Sequence, residues 1–158
     1  MNPKESFEVT GALGVDDVPE VRRFVEKLHR RVSNPDDMSR VAMATHELLE
    51  NAVKYSKDGE TTIRIEVDAN SRPKRVKIVL RNRATPQNIV GIREVLDGVS
   101  SAIDANEFYQ KLLVSKARSR EQSGLGLARI CAEGEMTLSY LVEGDLATIE
   151  ANTVVGRA

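Results

Sequence analysis

The chain has 158 residues, enough for one buried core but short for two. Its 23 basic residues nearly balance 24 acidic ones, for a formal net charge of −1, so long-range attraction to nucleic acid or anionic lipid is not expected. Cys131 is the lone cysteine, which excludes an internal disulfide and thiol-rich metal sites, and the absence of tryptophan leaves little stacking surface for single strands.

Met1 to Ser6 is polar, and no stretch approaches the ~20 apolar residues of a membrane span, so the expected location is the cytoplasm. Phe7 to Leu13 reads as a first strand. Val21, Phe24, Val25, Leu28 and Val32 recur at helical spacing, and Ser33-Asn34-Pro35 breaks that helix. Asp36 or Asp37 is expected to cap a second helix, with Val41, Ala44, Leu48, Leu49 and Ala52 as its apolar stripe and an end near Lys57-Asp58-Gly59.

From Thr61 to Ala69 the pattern alternates, with Ile63, Ile65 and Val67 opposite Thr62, Arg64 and Glu66. Val76, Ile78 and Leu80 alternate again, which predicts a hairpin around Pro73. Helical spacing returns from Pro86, and a further helix is expected from roughly Asp104 to Arg118. Ser119 to Ser123 is polar and reads as a mobile loop. Leu127, Ile130 and Cys131 lie on a helix that begins inside a glycine motif, and Met136 to Val142 and Leu146 to Val154 read as two closing strands. Strand and helix do not alternate regularly. The expected fold is a single α+β domain over residues 1–158, with a mostly antiparallel mixed sheet and helices packed on one face.

Two motifs carry chemistry. Glu47, Asn51 and Lys54 sit at i, i+4 and i+7 of the second helix and share a face. A neutral carboxamide oxygen suits a hard cation such as magnesium, a lysine suits phosphate, and a carboxylate can polarise a water or hydroxyl nucleophile. A solvated face with a Glu–Lys pair is the simpler alternative. The second motif is Ser123-Gly124-Leu125-Gly126-Leu127. Alternate glycines ahead of an apolar helix let backbone amides approach an anion, although a plain loop-to-helix turn has the same pattern.

Together the motifs resemble the GHKL superfamily. Glu47-Leu48-Leu49-Glu50-Asn51-Ala52-Val53-Lys54-Tyr55 is similar to its N box, and Gly124-Leu125-Gly126-Leu127-Ala128 to its G2 box. The resemblance runs from about Phe7 to Thr153 and implies a Bergerat ATP-binding fold with ATP and Mg2+ as cofactors. It makes Glu47 the catalytic base and Asn51 the magnesium ligand. Lys54, Tyr55, Asn82, Ser123, Gly124, Leu125, Gly126 and Leu127 join Asn51 in the nucleotide site.

One motif departs from the superfamily. Where a G1 box D-x-G-x-G is expected, the chain reads Leu80-Arg81-Asn82-Arg83-Ala84-Thr85-Pro86. Asn82 replaces the adenine-binding aspartate, so nucleotide binding is expected to be weakened or lost. Asn82 offers one acceptor and one donor to a base edge, or else caps the next helix. The chain resembles small partner-switch proteins that lack a glycine-rich G1. That implies a serine/threonine kinase acting on a STAS-domain partner, with no nucleic acid or membrane involved, and it allows a homodimer. A non-catalytic anti-sigma-like module or pseudokinase is the alternative. His46 is read as a helix-surface or partly buried packing residue, the basic run Lys116 to Arg120 as a solvated edge, and Cys131 as core.

Overall fold

A computed structural model describes residues 4–12, 35–68, 70–71, 73–116 and 125–155. They form β1 (Lys4–Ala12), α1 (Pro35–Tyr55), β2 (Ser56–Asp68), β3 (Lys74–Ala84), α2 (Pro86–Ser101), α3 (Ala105–Lys116), α4 (Leu125–Ala132), β4 (Thr137–Glu143) and β5 (Leu146–Val155). The expected helix over Val21 to Val32, the loop Ser119 to Ser123 and most of the basic run lie outside the described residues.

The sheet order is β1-β2-β3-β5-β4, and each neighbouring pair is antiparallel. Alternation decides its faces. Ile63, Ile65 and Val67 of β2 are buried, as are Val76, Ile78 and Leu80 of β3 and Ala147, Ile149 and Ala151 of β5. Against them pack Val41, Ala44, Leu48, Leu49 and Ala52 of α1, with Leu127, Ala128 and Ile130 of α4. The one buried hydroxyl inside the α1 stripe is satisfied, because Thr45 donates to the Val41 carbonyl at 2.9 Å. The opposite sheet face is polar. Lys77 lies 3.6 Å from Glu150, and the Arg81 guanidinium donates to the Thr148 hydroxyl at 3.3 Å. The fold is therefore α+β, with helices on one face of an antiparallel sheet.

Three local expectations are corrected. Helix α1 starts at Pro35, so Asp36 and Asp37 lie inside its first turn rather than capping it. There they complement the positive end of the helix dipole. The helix does not run on to Gly59: it ends at Tyr55, and Ser56 already pairs with Ala84. The β2–β3 register then shifts between Ser56 and Thr61, which absorbs the residues expected to form a turn. Finally, Thr85 rather than Asn82 caps α2. Its hydroxyl accepts from the Asn88 N–H at 3.3 Å, with Pro86 in the first turn.

Candidate functional site

The inward stripe of β3 continues past Leu80 to positions 82 and 84, and residue 82 is an asparagine. A polar side chain thus stands where the alternation calls for an apolar one. The described part of the molecule has a cleft there, open to solvent. Ala52, Leu80, Ala84, Ile92, Leu127 and Ile149 give it apolar walls, and Asn51, Asn82, Gln87 and Asn88 are its polar lining. Gly91 of α2 also borders it, and a Cβ added at Gly91 would meet nothing within 4 Å. Five elements therefore converge on one space, with Asn51 supplied by α1, Asn82 by β3, Gly91 by α2, Leu127 by α4 and Ile149 by β5.

The cleft suits a planar heteroaromatic group. Apolar walls would cover its faces, and a carboxamide can pair with one acceptor and one donor on its edge. Thr61, 2% exposed and directly opposite Asn82 in the β2–β3 register, has a hydroxyl without a hydrogen-bond partner. Sequence reading did not single out Thr61. Its only sequence signal is a hydroxyl heading an otherwise aliphatic inward stripe.

Glu47 is one turn before Asn51 yet does not line the cleft. It borders a separate depression with His46, Arg129 and Glu133. Its Oε1 accepts from Arg129 Nη1 at 3.0 Å, and its side chain is 18% exposed. Arg129 Nε also donates to Glu133 Oε2 at 2.6 Å, and this bond is the main cause of its raised pKa. The buried phenol of Tyr109 titrates higher than usual, first through burial and then through the Glu133 charge. A Cβ on Gly126 would lie 2.5 Å from Glu47 Oε2. The two motifs therefore touch, but through Gly126 and Glu47 rather than through Asn51. Arg129 was missed by sequence reading, because its contact with Glu47 spans 82 residues.

His46 Nε2 sits 3.1 Å from Glu50, while its Nδ1 is buried without a partner. Among the described residues, no cluster of three His, Cys, Asp or Glu side chains could hold a metal ion. A cation at Asn51 would therefore need most of its ligands from phosphate oxygens and water. Lys54 and Tyr55 lie on α1, but their side chains are outside the described set, as are Ser123 and Gly124 altogether.

Residues 12–132 match the model of the histidine kinase-like ATPase domain, and the chain belongs to that family. Among solved structures, a chain of the SiaB–SiaC complex from Pseudomonas aeruginosa is similar, with a TM-score of 0.67. The match covers 94% of this chain and 89% of that one at 14% identity, a likeness of fold. No curated protein sequence matches significantly. No helix among the described residues is long and apolar enough to cross a membrane.

Proposed function

We propose that this chain is an ATP-dependent regulatory protein kinase of the partner-switching kind, whose substrate is a serine or threonine of a STAS-domain protein. The observation that carries the reading is the shared cleft of Asn51 and Asn82, with Glu47 one turn away against the glycine-motif helix. Asn82 and the apolar walls would hold the adenine. The Asn51 oxygen would hold magnesium, which when bound neutralises phosphate charge. Lys54 and the backbone of Ser123 to Leu127 would meet the phosphates.

Phosphoryl transfer needs positioning and charge neutralisation more than covalent chemistry from the protein. The acceptor oxygen forms a bond to the γ-phosphorus, the bond from that phosphorus to the β–γ bridging oxygen breaks, and ADP leaves. Glu47 accepts the hydroxyl proton. The chain of similar fold comes from a complex of two proteins, SiaB and SiaC, which supports a role exercised through a protein partner.

Incubation of the chain with labelled Mg-ATP and a STAS-domain protein from the same gene neighbourhood tests the proposal. Label should move to the partner and be lost with Glu47→Ala and with Asn51→Ala. Transfer that survives either substitution overturns the assignment. Asn82 in place of aspartate favours a second reading, a non-catalytic module that sequesters its partner. Under that reading the complex forms with no label transferred by the unaltered chain.

A further inference from the structure

We propose that Arg129 is a positioning residue, which with Gly126 seats the Glu47 carboxylate so that one oxygen is held and the other faces the glycine motif. The inference rests on the kinase reading above, in which Glu47 receives the acceptor proton. Gly126 and Arg129 are three residues apart on α4 and share a face. That face meets Glu47 of α1. Arg129 Nη1 engages Oε1 at 3.0 Å, whereas Oε2 lies where a side chain at position 126 would begin, 2.5 Å from its Cβ. The two oxygens thus have different surroundings. One is occupied by a cation, and the other is directed at Gly126 in the first turn of α4.

Arg129 also has a second carboxylate partner. Its Nε bonds Glu133 Oε2 at 2.6 Å, so two different nitrogens of one rigid plane bind two carboxylates. Tyr109 of α3 is buried within the electrostatic reach of Glu133, Arg129 and Glu47, and so belongs to the same cluster. An ordinary i,i+4 pair with Glu133 would account for the Nε contact alone. It would not account for the Nη1 contact with the mostly buried Glu47. A general base acts efficiently when a third group fixes its orientation, and Arg129 has the geometry of that group.

The test compares the wild-type chain with Arg129→Met and Arg129→Lys in label transfer from Mg-ATP to the STAS-domain protein. Turnover should fall about tenfold or more in Arg129→Met, while the Mg-ATP Kd and the KM for the partner stay within about twofold. Arg129→Lys, which keeps a cation but not the rigid fork, should recover part of the loss. Melting followed by circular dichroism verifies that both variants are folded. Undiminished turnover in Arg129→Met overturns the positioning role and leaves the kinase reading intact. A loss of Mg-ATP affinity in step with turnover also overturns it, because Arg129 would then serve the nucleotide site or the fold. Absence of transfer by the wild type overturns the kinase reading itself, and with it any base for Arg129 to orient.

Discussion

At the scale of single residues, the side chains with a chemical signature were legible and their neighbours were not. Asn51 stood out by type and helical spacing and Asn82 by the family resemblance, which expects an aspartate there, and both line the cleft. Glu47 stood out too, but its partner Arg129 and the unpartnered hydroxyl of Thr61 depend on contacts between segments far apart in sequence. Cys131 was read as core, and it is 9% exposed. Burial pushes its thiol up to about 11 from 9.0, against a smaller opposing effect of a backbone hydrogen bond at Leu138. Below pH 9 both folded and unfolded thiols are protonated. Between about 9 and 11 the unfolded chain releases its proton first, so stability falls as pH rises. Removing the thiol should abolish roughly 2–3 kcal/mol of that alkaline loss. Unfolding of wild type and Cys131→Ala across this range checks it, and parallel pH slopes would contradict it.

At the scale of elements, periodicity located the strands and helices, whereas their ends depended on local chemistry. The helical spacing that begins at Pro86 matches α2, but its cap is Thr85, one residue before that proline. The end of α1 was overestimated because Lys57-Asp58-Gly59 looks like a turn, while strand pairing claims Ser56 and its neighbours for β2. Helix α2 also carries a glycine with a spatial meaning. Gly91 lies within the helix, where glycine costs about 1 kcal/mol relative to alanine, and it opens the cleft wall. Gly91→Leu should therefore leave the chain folded, since nothing obstructs its first carbon, while its branches occupy the space of the base. Calorimetry should show Mg-ATP affinity falling about tenfold or more. Unchanged affinity would mean that the base does not bind against α2.

At the scale of the whole molecule, the two hairpins are local and could be read from alternation, but the sheet order could not. Strand β5 pairs with β3 as well as β4, which inserts the last strand between β3 and its own hairpin partner. No local pattern encodes that choice. Arg40 of α1 reinforces it. Its guanidinium donates to the Gly134 carbonyl at 2.6 Å, the Val154 carbonyl at 3.1 Å and Asp37 at 2.6 Å. One side chain thereby ties α1 to the α4–β4 turn and the end of β5. This long-range assembly places Asn51 and Asn82 around one space, and a nucleotide in that space is the central claim. Titration of Mg-ATP into wild type and Asn82→Asp by calorimetry tests it most directly. The wild type should bind measurably, and Asn82→Asp should bind more tightly, by about tenfold, because a charged acceptor then meets the adenine amine. No heat of binding at millimolar nucleotide in either protein would contradict the account.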